Sequence, residues 1–408
     1  MNRLWLKMGK RYLAKIEIGR LDVTYPNGEK ESYGGGDLPN ASIEIHSANF
    51  FRRLALYGDI GFAESYMDGE FDTQNLTKLI ELALLNSHRL GTKSEDYKKN
   101  RLSNLFPFSN RIKHVMRKNS KTKSRKNISQ HYDLSNDFFK LMLDDTMMYS
   151  SAIFESPDED LYTAQRRKMA HLAQKLRIKE GAKVLEIGSG WGAMAMYLAK
   201  EMGCEVTTVT LSSEQKALCH ERFSAENVEE KIEILLKDYR DLEGSFDAII
   251  SIEMFEAVGA EYFDIFFKKC ESLLKPSGVL AMQVITIPDQ RYSAYAKSTD
   301  FIQKYIFPGG HLPSVGKILD VTSRHTRLNL LHMEEFAEDY AKTLRLWDEN
   351  FSAKLDEVKK LGFDEYFVRM WKMYLAYCEA AFLTRNIGLV QMVFSRDQNR
   401  DLNRGLVA

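Results

Sequence analysis

The chain is poor in several features that would have narrowed its function at once. Its four cysteines, Cys204, Cys219, Cys270 and Cys378, are scattered, with no Cys-x-x-Cys pair and no metal-ligand spacing. A disulfide framework and a zinc ribbon are therefore excluded, no metal site is expected, and reduced thiols in a cytoplasmic protein fit best. No apolar run approaches the ~20 residues that a bilayer-spanning helix needs. The first residues interleave Arg3, Lys7, Lys10, Arg11 and Lys15 with apolar ones, so no signal-peptide core forms. Lys plus Arg and Asp plus Glu are equal at 57 each, so bulk charge argues for no partner. There is no internal repeat to suggest a solenoid.

What is present is organised in blocks. At 408 residues, two domains or one domain with a large appendage are expected. Alternating segments at 17–24 and 41–46 flank a turn-rich stretch, Pro26-Asn27-Gly28 followed by Gly34-Gly35-Gly36. That pattern predicts a small antiparallel sheet, with helices over 48–57 and 74–86. Residues 1–97 thus form an N-terminal α+β domain without an evident catalytic cluster, whose lipid-docking role is left open.

Residues 98–127 then read as a basic linker. Between Lys98 and Lys126 there are eleven Lys or Arg and no Asp or Glu, interleaved with Leu102, Leu105, Phe106, Phe108, Ile112, Val115 and Met116. Solvated linker, anionic lipid and nucleic acid are the competing explanations. Lys and Arg beside an anionic bilayer contribute roughly 1 kcal/mol each, and interleaved apolar groups enter the interface. Nucleic acid is disfavoured, because neither a recognition fold nor stacking aromatics accompany the charge.

From 165 to 284 strands and helices alternate. A helix at 165–176 precedes strands at 183–187, 205–209, 231–236, 247–252 and 279–284, with a last strand at 389–394 paired to 328–331. Repeated βα units imply a parallel sheet covered on both faces, with ligand at the carboxyl ends of the strands. The ends that converge there are Gly188–Gly192, Thr210–Gln215, Asp238-Tyr239-Arg240 and Glu253-Met254-Phe255-Glu256. The first is the most informative. Val184-Leu185-Glu186-Ile187 reads as a buried strand, and Gly188-Ser189-Gly190-Trp191-Gly192 follows it into a helix. Glycines there let a ligand approach backbone that Cβ atoms would otherwise screen. The spacing is Gly-x-Gly-x-Gly, not the dinucleotide Gly-x-Gly-x-x-Gly, and with Glu186 before it the stretch resembles the S-adenosylmethionine loop of class I methyltransferases. Two mostly helical insertions, at 289–327 and 337–385, carry many aromatics. At helical spacing these are core first, with an apolar tunnel wall as the alternative.

Taken together these motifs resemble the cyclopropane-fatty-acid synthase family over nearly the whole chain. The stretch from His131 to Phe139 with Tyr149-Ser150-Ser151-Ala152, the loop Leu185–Gly192, Val209–Gln215, Met254–Gly259 and Lys304–Gly310 occur in family order. The resemblance implies a class I methyltransferase, an α/β Rossmann-like fold with a mixed seven-stranded sheet and helical insertions, over a catalytic domain of 128–396 with a polar tail at 397–408. It implies S-adenosylmethionine as methyl donor, an unsaturated phospholipid acyl chain as substrate and a cyclopropane as product. Cofactor contacts would come from Tyr149, Ser150, Gly188, Ser189, Gly190, Gly192, Thr210, Leu211, Gln215, Asp238 and Tyr239. The implied location is cytoplasmic, peripheral to the inner face of an anionic membrane; a homodimer is compatible, and no nucleic acid is involved.

The family chemistry leaves a carbocation that must lose a proton, and a bound bicarbonate is thought to take it. By motif position the cradle here would be Ser151, Glu256, Gln283, Ile285 and Tyr340, with Glu256 accepting from the bicarbonate OH and Tyr340 donating to its oxygens. Two positions depart from the family pattern, which often has Cys at Ser151 and His at Gln283. That leaves open a C-methyltransferase giving a methylene- or methyl-branched chain without ring closure. A third reading, a lipid-binding protein without turnover, is opposed by the intact glycine loop, Glu256 and Tyr340.

Overall fold

Two sheets, each with its own helices, account for the regular structure of the computed structural model, which describes residues 2–36, 38–90, 134–397 and 399. The basic stretch, the His131-Tyr132-Asp133 start of the first signature and most of the polar tail lie outside the described residues. Two compact units are present. The described part of the first covers 2–90, 290–308 and 344–387, and that of the second covers 134–289, 309–343 and 388–399.

In the first unit four strands, β1 (Arg20–Thr24), β2 (Lys30–Gly34), β3 (Asn40–Ile45) and β4 (Phe71–Asp72), lie in the order β2-β1-β3-β4. The expected antiparallel sheet is in fact mixed, since β1 and β3 run parallel. The reason is β2, which the turn-rich composition concealed. It forms a hairpin with β1, so the chain crosses to the other edge of β1 before laying down β3. The helix Asn49–Met67 outruns its expected end, bending at Gly58 (φ 58°, ψ −130°). Helix Leu76–Leu85 starts where Asn75 accepts from the Lys78 amide. It packs against helix Glu365–Leu383, and the Thr77 hydroxyl donates to Glu379 across that contact at 2.7 Å. Aromatics of the insertions are core here: Trp347, Phe351, Trp371 and Tyr374 are all buried.

The second unit holds β5 (Lys183–Ile187), β6 (Glu205–Thr210), β7 (Ile232–Leu236), β8 (Phe246–Ile252), β9 (Leu274–Thr286), β10 (Leu328–Glu335) and β11 (Gly388–Arg396). Their order is β10-β11-β9-β8-β5-β6-β7. Strands β5 to β9 are parallel, while β11 is antiparallel to β9 and β10 to β11. The mixed seven-stranded sheet expected from the sequence is therefore present. β5 is an interior strand, buried from Val184 to Ile187, with apolar Val184, Leu185 and Ile187 and a buried Glu186 that accepts from the Thr208 hydroxyl on β6. The chain runs from β5 through β6 to β7 on one side and then returns to β8 on the other, making the carboxyl end of β5 the switch point. One face of the sheet is covered by the helix Leu161–Leu176, which begins four residues earlier than its apolar period indicates. Asp160 accepts from the Thr163 amide there and sets the start.

Candidate active site

At the end of β5 the chain enters Gly188, Gly190 and Gly192 with φ of 100°, 49° and 84°. A Cβ on Gly192 would stand 2.5 Å from the Phe223 ring, so this glycine is demanded by packing as well as by φ. Around a Cβ on Gly190 there is nothing within 4 Å, so backbone faces open space at this point of the loop. The Ser189 amide donates to the Val209 carbonyl at 2.9 Å, tying the loop to the end of β6. There the Thr210 hydroxyl donates to Gln215 Oε1 at 2.7 Å, and Ser212 caps the following helix; Leu211 lies between them. Asp238 forms a close ion pair with Arg240 at 2.6 Å. The Tyr239 hydroxyl is buried without a hydrogen-bond partner among the described residues.

Residues upstream of β5 close over this edge. Trp191 Nε1 donates to Asn136 Oδ1 at 2.8 Å, and the Phe139 ring packs on Trp191 and Tyr149, with centroids 4.8 and 5.2 Å apart. Ser150 takes its hydrogen bond from Lys168 Nζ at 2.6 Å. Lys168 is wholly buried, and burial pulls its pKa down to about 8 against the opposing charges of Glu253, Asp144 and Glu186. Neither Lys168 nor Glu253 stood out in the sequence. The signal for Glu253 was its place directly after β8, whereas Lys168 was hidden in an ordinary amphipathic helix.

The five residues expected to cradle an anion separate into two groups. Ser151, Gln283 and Tyr340 converge on the carboxylate of Glu253: the Ser151 amide and Gln283 Nε2 donate to Oε1 at 2.9 and 2.7 Å, and the Tyr340 hydroxyl donates to Oε2 at 2.5 Å. The Ser151 hydroxyl is not part of this set, because it donates to the Ala152 carbonyl. Glu256 and Ile285 pair instead with each other, the Ile285 amide donating to Glu256 Oε1 at 2.5 Å. Glu256 Oε2 is buried without a partner among the described residues.

This arrangement gives the two carboxyls different surroundings. Burial raises the pKa of both carboxyls. For Glu253 it is opposed by the Tyr340 hydrogen bond, the Lys168 charge, Gln283 and the Ser151 amide. Glu256 has one amide donor and the Glu253 charge nearby, and it is pushed up to about 8. The donors around Glu253 favour its ionised form, whereas the single donor and the neighbouring charge at Glu256 favour its protonated form. Glu253 also sits at φ 49°, a left-handed conformation that a non-glycine residue adopts at a cost of order 1–3 kcal/mol and that glycine adopts freely. The surrounding donors hold it there.

A Gly-rich βα turn at a parallel-sheet switch point, with open space over its backbone and an unpartnered buried hydroxyl beyond β7, fits S-adenosylmethionine and defines a class I methyltransferase. The comparisons with known proteins narrow this. The model of the mycolic acid cyclopropane synthetase family matches residues 119–392, and a domain of unknown function matches residues 9–95. The chain is 38% identical over 385 residues to the tuberculostearic acid methyltransferase UfaA1 of Mycobacterium tuberculosis, covering 92% of this chain and 88% of the relative. It is 38% identical over 368 residues to the cyclopropane-fatty-acyl-phospholipid synthase of Escherichia coli, covering 88% and 89%. Among solved structures, the cyclopropane synthase MmaA2 from Mycobacterium tuberculosis superposes with a TM-score of 0.62 at 30% identity, over 67% of this chain and 98% of that one. The chain belongs to the mycolic acid cyclopropane synthetase family. It is a methyltransferase of cyclopropane-synthase type, using S-adenosylmethionine to act on unsaturated fatty acyl chains.

Two outcomes are expected. Gly192→Ala meets Phe223 and costs more than about 2 kcal/mol in denaturant unfolding, whereas Gly190→Ala costs about 1 kcal/mol but weakens S-adenosylhomocysteine binding in calorimetry. Glu256 binds its proton more tightly folded (about 8) than unfolded (4.5), so the stability it contributes is full below about pH 4.5 and is lost as pH rises through 8. Glu256→Gln, which has no charge to bury, should raise Tm relative to wild type at pH 9 more than at pH 5; an equal change at both pH values would contradict this.

Proposed function

We propose that this enzyme adds one carbon across the cis double bond of unsaturated acyl chains in membrane phospholipids to form cyclopropane acyl chains, with Glu253 as the proton acceptor. The observation that carries this reading is the convergence of Ser151, Gln283 and Tyr340 on one buried carboxylate. S-adenosylmethionine, when bound, supplies an electrophilic methyl carbon to which the alkene gives its electron pair. Tyr149, Ser150, Gly188, Ser189, Gly190 and Gly192 would line its methionyl part, Thr210, Leu211 and Gln215 its ribose, and Asp238 and Tyr239 its adenine.

The chain's own residues then handle the substrate cation. An alkene needs alignment in a dry site more than it needs acid–base help. Proton removal does need a base, and an ionised carboxylate held by three donors is already in place. If Glu253 takes a proton from the added methyl while that C–H pair closes on the cation, the ring forms. If a hydride first shifts so that the charge lies on the methyl-bearing carbon, loss of the same proton gives a methylene branch. A saturated methyl branch would in addition require a reductant. Lys168 keeps Glu253 ionised through its charge, and neutral Glu256 avoids a second anion beside it.

Bicarbonate is the alternative acceptor. For it to act, an external anion would have to share or displace the donors that Glu253 occupies. In the reading proposed, depleting bicarbonate leaves the wild-type rate unchanged. Glu253→Gly removes the carboxylate, relieves the left-handed strain and frees three donors. It should lower kcat by at least a hundredfold, and added bicarbonate should restore part of that loss. Methyl-deuterated S-adenosylmethionine with vesicles of monounsaturated phospholipid reports the product: ring protons with two deuterons retained mean cyclopropanation. Full activity of Glu253→Gly in bicarbonate-free buffer would refute Glu253 as base.

Membrane docking is the second part of the proposal. Among the described residues no helix is long and apolar enough to cross a membrane. The helix Asn2–Leu13 contains no acidic residue in its sequence, and Leu4, Lys7, Met8 and Arg11 lie exposed along one face. Gly9 turns the opposite face onto Phe51, and Lys10 is engaged by Glu29 and Glu31. Apolar and cationic groups on one exposed face fit the interface of an anionic bilayer, which supports a peripheral position on the inner face of the membrane. Leu4→Ser with Met8→Ser should weaken sedimentation with anionic vesicles severalfold at all salt concentrations. Lys7→Glu with Arg11→Glu should do so mainly at low salt. Unchanged sedimentation of both double variants would remove this helix from the docking surface.

A further inference from the structure

A row of polar side chains crosses the catalytic sheet and ends on Glu253. Glu334 on β10 stands opposite Gln391 on β11, and Gln391 stands opposite Gln283 on β9. Ile252, the residue of β8 that precedes Glu253, is registered against Gln283, and the Glu253 amide donates to the Gln283 carbonyl at 2.8 Å. The side chains are joined in sequence. Lys175 Nζ lies 2.6 Å from Glu334 Oε2 and donates to Gln391 Oε1 at 2.9 Å; Gln391 Nε2 donates to Gln283 Oε1 at 2.9 Å; Gln283 Nε2 donates to Glu253 Oε1. His171 Nδ1 meets Gln391 Oε1 at 2.9 Å. Gln283 and Gln391 are buried within an apolar face, beside Ala281 and Val393 and under Met169, Leu172 and Leu176 of the Leu161–Leu176 helix.

We propose that Gln391 and Lys175 are positioning residues for the active-site carboxylate, through a hydrogen-bond row whose direction is set at its far end. This rests on the reading of Glu253 as proton acceptor. An ammonium group has only donors, so Gln391 must turn its carbonyl oxygen to Lys175 and its amino group to Gln283. Gln283 in turn must offer its carbonyl to Gln391 and its N–H to Glu253. With an apolar residue at 391, nothing distinguishes the two amide orientations of Gln283 from that side; with one at 175, only His171 Nδ1 is left against the Gln391 oxygen. One of the two Gln283 orientations places a carbonyl oxygen against the carboxylate. Two buried amides in an otherwise apolar face are costly unless fully bonded, and this row is bonded at every joint. Its cation end also faces Glu334, His171 and His332, while Glu253 faces Lys168, Tyr340 and Glu256.

The test uses the full chain with vesicles of monounsaturated phospholipid. Lys175→Met and Gln391→Met should move the acid limb of the kcat–pH profile up by about one unit, a roughly tenfold loss of kcat below the limb. KM for S-adenosylmethionine should not change, and Lys175→Arg, which is also donor-only, should keep the wild-type limb. Independently of turnover, carbon-13 NMR of glutamate carboxyls, with the Glu253 signal assigned by its absence in Glu253→Gln, should show Glu253 titrating higher in both Met variants. If both lower kcat without moving the limb, and the Glu253 signal titrates as in wild type, the row is structural and the inference is overturned. Should one Met variant not fold, the other decides. If Glu253→Gln proves fully active while the Glu253 signal still moves, the row stands and the proton-acceptor reading falls.

Discussion

Burial of a carboxyl group among hydrogen-bond donors is the constraint on which the catalytic unit turns. An unpaired anion in this interior would neutralise itself or unfold its surroundings. Glu253 avoids both because donors reach it from separate elements: the Ser151 amide upstream of β5, the Gln283 amide on β9, and the Tyr340 hydroxyl on the helix after β10. Each element is fixed by its own apolar packing, so the charge is held by the fold and not by any one contact. Glu256, three residues further on and with a single amide donor, has its pKa pushed up to about 8 by burial and by the Glu253 charge.

Electrostatics of this kind explain why the polar residues lie inside the sheet. Lys168, His171 and Lys175 project from one face of a single helix onto a sheet face that is otherwise Ala, Val and Ile. Their spacing of three and four residues brings all three to the same side. Lys168 serves Ser150 and the field at Glu253, while Lys175 and His171 reach Gln391. A helix read as amphipathic from its apolar residues is also the support for the charged part of the site.

Membership of the mycolic acid cyclopropane synthetase family does not by itself choose among products, since relatives of equal identity carry names for cyclopropane formation and for methylation. The choice is made by where the proton acceptor stands relative to the substrate cation. An acceptor tied to the chain through its own backbone has less freedom than a bound ion. In the proposed role of Glu253 that position is set by β8, β9 and the left-handed turn at residue 253.

The local sequence determined what local physics controls. The strands and helices of the catalytic sheet, though not all their ends, the glycine loop and the order of the strand ends were legible because period, β-branched runs and glycines with positive φ act over a few residues. The resemblance then carried Ser151, Gln283, Ile285, Tyr340 and Glu256 by motif position. Beyond its reach was β2, a charged strand between turns whose pairing with β1 makes the first sheet mixed. So was the division of the cradle, in which three residues hold Glu253 and two hold each other. Glu253 and Lys168 are 85 residues apart in sequence, and Gln283 and Gln391 are 108 apart. Only the folded sheet brings such groups together, because the register of long-range strand pairs, and the surroundings that each buried group meets, depend on neighbours that no local pattern encodes.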